Sequence, residues 1–142
     1  MSVAGPLAGL DPGHSKCGLV LTDPLQEAVV EALVLPPAAA AARLLAWHRQ
    51  RPLGAVLLGN GTGSRDWRRR LPAGLPLQLV EERGTTLEAR RRYWQLLPPR
   101  GWRRLLPVGL RLPPRDWDDV VAQLLVERWL QRPLPRRLRT GP

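Results

Sequence analysis

The chain has 142 residues, 44% of them apolar, and a formal net charge of +10 at pH 7. This length and apolar content suit one domain over residues 1–142 with a buried core, and they argue against intrinsic disorder. Positive charge in such excess is typical of proteins that bind a polyanion, most often nucleic acid. The Arg-, Pro- and Ala-rich composition, with no Phe and one Lys, is also typical of GC-rich genomes, so charge alone does not identify the partner.

Metal-binding side chains other than carboxylates are scarce. Cys17 is the only cysteine, and His14 and His48 are the only histidines. An intramolecular disulfide and Cys-rich zinc sites are therefore excluded, and any metal should be held by oxygen atoms, which favours Mg²⁺ or Mn²⁺. No run has the length of a membrane span or the pattern of a signal peptide, so we expect a cytoplasmic protein without a membrane partner.

The most informative stretch is an apolar run that ends at Asp11. Pro12 and Gly13 follow it and predict a tight turn, because Pro lacks a backbone donor and Gly tolerates positive φ. Further apolar runs complete an antiparallel meander, with strands predicted at residues 7–10, 18–21 and 26–35. A carboxylate at the end of a strand is held rigidly enough to bind a metal, although Asp before Pro-Gly is also common in ordinary turns.

Helices and strands alternate in the rest of the chain. Strands are predicted at 54–59 and 77–80, and helices at 38–50, 65–71, 85–97 and 116–131. A meander followed by this alternation predicts an α/β fold in which helices pack on a mixed sheet. Residues 132–142 are predicted to form a flexible basic tail.

Candidate caps mark the starts of three predicted helices. Ser64 follows a Gly-rich turn and suits a helix cap, while the same turn could alternatively present amides to a phosphate. Thr85 and Glu88 form a capping-box pattern. Asp116 suits the start of the last helix, where acids are favourable.

The last predicted helix carries an acid in an unusual place. At about 100° per residue, Asp118 falls in the middle of an apolar face, in line with Ala122, Leu125 and Trp129. An acid on a face directed to the core is costly unless it is paired or bound to a metal. Asp119 falls on the flank of this face, and the polar residues Gln123, Glu127 and Gln131 fall on the opposite side.

Acids thus lie at the ends of three elements, at Asp11, at Glu81 or Glu82, and at Asp118. If these side chains converge, they repel one another unless a cation holds them. A pair of divalent ions in such a site can activate water and stabilise the leaving oxygen of a phosphodiester. The sequence does not choose between Glu81 and Glu82, because neighbouring strand residues point to opposite faces; a solvated turn with local ion pairs is the alternative.

A Pro-punctuated basic segment, residues 98–115, precedes the last helix. It carries Trp102 among the arginines Arg100, Arg103, Arg104, Arg111 and Arg115. Arginine with an interleaved aromatic side chain suits contact with backbone phosphates and stacking on bases. A solvated loop in an Arg-rich protein would have the same composition, so both interpretations stay open.

Three motifs resemble the YqgF/RuvX family of Holliday junction resolvases, an RNase H-like branch related to RuvC, in its cyanobacterial type. They are Asp11-Pro12-Gly13 with Ser15 and Gly18, the segment 80–90 that contains Glu81-Glu82-Arg83, and the segment 118–122 with Glu127. The resemblance covers about residues 7–131. The turn at 59–64 departs from it and is closer to the related domain of the Tex transcription accessory protein.

The resemblance implies an RNase H-like mixed five-stranded sheet flanked by helices, and a nuclease that depends on Mg²⁺ or Mn²⁺. It implies pre-16S rRNA processing or Holliday-junction-like resolution, by a monomer or homodimer acting on an RNA precursor or branched DNA. By motif position, Asp11, Glu82 and Asp118 are the implied catalytic and metal-binding residues, with Asp119 as a further ligand. Arg83 and the basic segment would bind nucleic acid. The alternative is a nucleic-acid-binding module that keeps the fold without catalysis.

Overall fold

The computed structural model describes residues 3–61, 63–71, 73–99, 101–107 and 116–139. Within these ranges the strands are β1 (Leu7–Asp11), β2 (Cys17–Thr22), β3 (Val29–Leu35), β4 (Ala55–Gly59) and β5 (Leu77–Val80). The α-helices are α1 (Pro37–Gln50), α2 (Ser64–Arg70), α3 (Thr85–Leu96) and α4 (Asp118–Leu130), and a short 3-10 helix covers Gly101–Leu105. No helix in the described part of the chain is long and apolar enough to cross a bilayer.

The strands form one mixed sheet in the order β3-β2-β1-β4-β5. β1 pairs antiparallel with β2 and parallel with β4, and β5 pairs parallel with β4. The predicted α/β architecture, an antiparallel meander extended by parallel strands, is confirmed. Because β1, β4 and β5 are parallel, their carboxyl ends lie at the same edge of the sheet.

Helices cover both faces of the sheet. On one face, strand side chains pack with α1 and α2 in a core that includes Leu10, Leu19, Leu44, Trp47, Leu58 and Trp67. On the other face, they pack with α4 in a core that includes Leu7, Val20, Leu57, Ala122, Leu125 and Val126. Helix α3 packs against the outer side of α4. The four-residue register of Ala122 and Val126 places both on the side of α4 that faces the sheet.

Two glycines allow α4 to approach the sheet closely. A Cβ atom at Gly9 would lie 2.5 Å from the backbone oxygen of Ala122, and one at Gly18 would collide with the backbone oxygen of Asp118. Contacts this short with backbone atoms exclude any side chain at these positions. The first turns of α4 therefore lie directly over β1 and β2.

The predicted polar face of the last helix is wrong. Gln123 and Glu127 are buried, because α3 and the C-terminal segment cover that side of α4. Glu127 accepts hydrogen bonds from Arg92 of α3, at 2.8 Å from Nη2, and from the backbone N–H of Leu134, at 2.6 Å. The period of the helix reveals two faces, but it cannot reveal that later residues return to cover the polar one.

The segment predicted as a flexible basic tail instead lies along β3 over its described residues. The N–H of Val29 donates to the oxygen of Pro135 at 2.9 Å, and the N–H of Arg137 donates to the oxygen of Val29 at 2.8 Å. The N–H of Arg139 donates to the oxygen of Val30 at 2.9 Å. Leu134 is fully buried against the α4 side of the sheet. Apolar burial and edge-strand hydrogen bonds therefore hold this segment, and residues 140–142 lie outside the described ranges.

The predicted helix caps are also wrong. Helices α2 and α3 are preceded by Gly63 (φ 94°) and Gly84 (φ 76°), and neither has a side-chain cap. The left-handed conformation favours glycine and turns the chain sharply into each helix without help from a side chain. α4 begins after Trp117 rather than Asp116.

The docking of the C-terminal segment predicts a stability difference between two leucines. Leu134→Ala removes a fully buried side chain and should lower the free energy of unfolding by about 2–3 kcal/mol. Leu138→Ala, at a half-exposed position four residues later, is the matched control and should change it by less than about 0.5 kcal/mol. Urea unfolding of the two variants measures both, and an equally small effect at Leu134 would contradict the docking.

Candidate metal and nucleic-acid site

Asp11 is the last residue of the central strand β1 and is half-buried. Its cross-strand partner is Gly18 of β2, the residue against which the backbone of Asp118 packs. Because the first residue of α4 lies over the strand next to Asp11, the two acids come from distant parts of the sequence to the same edge of the sheet. The convergence of Asp11 and Asp118 follows from the close approach of α4.

Glu82 reaches the same edge from the other side. It lies two residues beyond the end of β5, and its carboxylate covers the loop that follows β4, so that a Cβ on either Gly59 or Gly61 would collide with it. The N–H of Gly61 donates a hydrogen bond to this carboxylate. The N–H of Glu82 donates to Oδ1 of Asn60 at 3.1 Å. The two loops interlock and direct Glu82, whereas the side chain of Glu81 is exposed.

Burial, together with the charges of the neighbouring acids, raises the pKa of Asp11. Burial is the largest cause, the charges of Asp118 and Glu82 add to it, and together they raise the pKa to about 7. Burial also raises the pKa of Glu82, against the hydrogen bond from Gly61. The pKa of Asp118 is raised by burial and by the charge of Asp116, while Lys16 opposes the shift. All three carboxyl groups thus lie where their charged forms are disfavoured.

Lys16 of the β1–β2 turn lies close to this cluster. Its Nζ atom donates to Oδ2 of Asp116 at 2.8 Å, and both side chains are about half exposed. The pair joins the turn after Asp11 to the residues before α4. Asp116, predicted as a cap, thus pairs with Lys16, one residue before the N-cap position of α4.

The donor set fits a hard divalent cation by its chemistry. Mg²⁺ and Mn²⁺ favour carboxylate oxygens, and a cation would relieve the repulsion that raises the pKa of Asp11. In the described ranges, no three His, Cys, Asp or Glu side chains already stand close enough together to hold one ion. Asp11, Glu82 and Asp118 therefore lie close enough to interact electrostatically, but they do not form a complete set of metal ligands.

Asp119 does not join this group. It is almost fully buried, and its Oδ2 accepts a hydrogen bond from Nη1 of Arg136 at 3.0 Å. The structure thus gives Asp119 a different role from the predicted metal ligand, because the ion pair fastens the C-terminal segment to α4. Spacing along a helix placed Asp119 beside Asp118, but its partner comes from a segment predicted as flexible.

Comparison with known proteins gives relatives of one kind. No family model matches the chain. A protein of Pelotomaculum thermopropionicum named "Putative pre-16S rRNA nuclease" is 38% identical, over 58% of this chain and 65% of its own. A Coxiella burnetii protein of the same name is 38% identical, over 41% of this chain and 33% of its own. The chain is therefore similar to proteins of the YqgF/RuvX family. It spans about one third of the length of the Coxiella relatives it matches.

Solved structures of RuvC share the fold of this chain. A Thermus thermophilus RuvC in complex with a Holliday junction substrate superposes with a TM-score of 0.52 and 19% identity, over 87% of this chain and 90% of RuvC. A second RuvC structure from the same organism superposes with a TM-score of 0.52 and 16% sequence identity. The RNase H-like fold is confirmed. Neither bacterium with a sequence relative named above is a cyanobacterium, so the cyanobacterial type stays a prediction.

The residues predicted to bind nucleic acid fall in two groups. Arg83 is exposed in the loop after Glu82, and Trp102 and Arg104 are exposed on the 3-10 helix. The residues Arg100, Arg111 and Arg115, and the side chain of Arg103, lie outside the described part. The contact of this segment with nucleic acid stays a prediction.

Sequence reasoning missed a second basic surface, on helix α2 near the turn that follows Asp11. Helix α2 begins just after the loop that contacts Glu82, and it exposes Arg65, Arg68 and Arg69. Arg70 stacks over Trp67 at 5.2 Å, and a groove of about 430 Å³ separates them from the β1–β2 turn. The run Arg68-Arg69-Arg70 is visible in the sequence, but its place near the turn after Asp11 required the sheet order.

The raised pKa predicts that Asp11→Asn stabilises the protein at alkaline pH. In the unfolded chain this carboxyl ionises near 3.8 and in the folded chain near 7, so the folded state binds the extra proton between these values. The free energy of unfolding therefore falls as pH rises from about 4 to about 7. Without metal at pH 8, Asp11→Asn should be more stable than the parent by roughly 1–3 kcal/mol, with allowance for solvent screening, and the gain should vanish towards pH 4.

Urea unfolding with a chelator, from pH 4 to pH 8, measures this difference. Asp66→Asn, at an exposed acid of α2, is the control and should show no such pH-dependent gain. A stability difference for Asp11→Asn that is the same at all pH values would contradict the electrostatic origin.

Proposed function

We propose that this chain is a divalent-metal-dependent nuclease that hydrolyses phosphodiester bonds in structured nucleic acid. One observation carries the proposal: carboxylates from β1, from the loop after β5 and from α4 lie at one edge of the sheet, where burial and, after it, the charges of Asp118 and Glu82 raise the pKa of Asp11. Acids brought together against their mutual repulsion are characteristic of functional sites. The names of the sequence relatives and the RuvC-like fold support the same activity.

In this proposal Asp11, Glu82 and Asp118 hold Mg²⁺ or Mn²⁺. When bound, the cation supplies activation of water and stabilisation of the leaving oxygen. The chain itself fixes the ligands. β1, the central strand, anchors Asp11 at its carboxyl end, the N–H of Gly61 orients Glu82, and the packing of α4 on Gly18 places Asp118.

The proposed substrate is the precursor of the small-subunit ribosomal RNA. The relatives that carry this name are 38% identical, whereas the RuvC that binds a Holliday junction is 19% identical and shares only the fold. The net charge of +10 and the exposed arginines of α2 suit the phosphate backbone of either substrate. The cytoplasmic location and the monomeric or homodimeric state stay predictions.

The direct test is cleavage by single-site variants. With Mg²⁺ or Mn²⁺, Asp11→Asn, Glu82→Gln and Asp118→Asn should each lower the rate at least 100-fold, because each removes a charge that holds the cation. Glu81→Gln, next to Glu82 but exposed, is the matched control and should stay within threefold. The assay compares labelled precursor rRNA, a four-way DNA junction and unstructured RNA, with a chelator as the blank.

Two results would count against the proposal in different ways. Cleavage at the parental rate by Asp11→Asn would remove this residue from the mechanism. Salt-sensitive binding without any metal-dependent cleavage by the parent would establish the alternative function, a nucleic-acid-binding module that is not an enzyme.

The basic surface of α2 predicts the salt dependence of binding. In the Asp11→Asn background, which prevents cleavage, Arg68→Gln with Arg69→Gln should weaken binding and reduce the slope of log K against log salt concentration by about 1.4–1.8, because two phosphate contacts are lost. Arg49→Gln with Arg51→Gln is the matched control: these exposed arginines precede β4, at the opposite end of the sheet. Equal slopes for both double variants would contradict a role for α2.

A further inference from the structure

Arg128 contacts the loop that carries Glu82 at several points. It lies near the end of α4, and its Nη1 donates to the backbone oxygen of Glu81 at 2.7 Å. Its Nη2 donates to the backbone oxygen of Arg83 at 2.8 Å and to Oε1 of Glu88 at 2.9 Å. One guanidinium thus holds the carbonyl before Glu82 and the carbonyl after it.

The remaining backbone groups of Glu82 are held as well. Its N–H donates to Asn60, and its own oxygen accepts a hydrogen bond from the N–H of Thr85 at 3.0 Å. Arg128 completes this set from a different element, and it does so with the planar, two-pronged geometry that only arginine offers. The loop therefore has little freedom to rotate Glu82 away from the sheet edge.

We infer that Arg128 is a positioning residue, which fixes the carboxylate of Glu82 relative to Asp118. Helix α4 begins with Asp118 and also contains Arg128. The same helix therefore supplies one acid and holds the loop that carries a second acid, Glu82. The inference rests on the proposed function, in which both acids hold the cation. Residues that orient metal ligands through hydrogen bonds affect metal affinity without touching the ion.

A simple ion pair between Arg128 and Glu88 is the competing explanation. The side chain of Glu88 is half exposed, and pairs with such exposed carboxylates contribute little. The two carbonyl contacts do not depend on Glu88, which makes the explanations separable. Glu88→Gln removes the ion pair with Arg128 and keeps the two carbonyl contacts. Arg128→Met removes the ion pair and the carbonyl contacts together.

The matched control is another arginine, Arg132, two residues beyond the end of α4. Nη2 of Arg132 donates to the backbone oxygen of Gln26 at 2.5 Å, in the β2–β3 connection. Arg132→Met therefore removes an arginine that also holds a backbone carbonyl but has no contact with the Glu82 loop among those described.

The experiment measures Mn²⁺ affinity by calorimetry and cleavage kinetics for the full chain and these variants. Arg128→Met should weaken Mn²⁺ binding at least tenfold and lower kcat by a similar factor, with KM for the nucleic acid changed less than twofold. Arg132→Met and Glu88→Gln should stay within threefold. Arg128→Lys should recover only part of the loss, because an ammonium group cannot donate to both carbonyls in the fork geometry.

Hydrogen exchange gives a readout that does not depend on metal or activity. Arg128→Met should speed exchange of the Gly61 and Thr85 amides, which donate to the carboxylate and to the backbone oxygen of Glu82. Unchanged exchange, full recovery by lysine, or an equal loss in Arg132→Met would each overturn the positioning role. A parent chain that binds no Mn²⁺ while Arg128→Met still loosens these amides would refute the proposed function and leave the loop contact standing.

Discussion

The approach of α4 to the sheet is the constraint on which the rest of the structure depends. The helix can lie against β1 and β2 only because Gly9 and Gly18 present bare backbone to it. This contact sets the height of Asp118 above the strand that ends in Asp11. A side chain at either glycine would lift the start of the helix and separate the two acids, even if the fold survived.

The cost of this arrangement falls on the carboxyl groups. Asp11, Glu82 and Asp118 are partly removed from water, and the pKa of each is raised. The surrounding backbone fixes the position of Glu82. Glycines in the loop after β4 make room for its carboxylate, and the N–H of Gly61 donates a hydrogen bond to it. The fold holds these acids in position without neutralising their charges. A bound cation would therefore stabilise the site.

Much of this could be predicted from the sequence, for a definite reason. Asp11 before Pro-Gly and the wholly apolar run at β4 are local signals, and local signals set the strands and their alternation with helices. The position of Asp118 on the apolar side of α4 indicated an acid near the sheet. What failed depended on partners far away in the chain. Glu127 became buried because of Arg92 and Leu134, and Asp119 because of Arg136.

The choice between Glu81 and Glu82 shows the same limit. Neighbouring residues at the end of a strand differ only in direction, and direction was set by the loop after β4, more than twenty residues earlier. The glycines before α2 and α3 are likewise visible in the sequence, but the residues that follow them, Ser64 and Thr85, are predicted as caps instead. Tertiary contact, rather than propensity, decided both.

The fastening of the C-terminal segment has a consequence for how the protein is made. α4, which carries Asp118, precedes the segment that fastens it, and the buried charge of Asp119 on this helix is neutralised by the later residue Arg136. A nascent chain cannot complete the packing of α4 until Leu134 and Arg136 have left the exit tunnel. The position of Asp118 relative to Asp11 and Glu82 is therefore set only after residues beyond α4 have been synthesised.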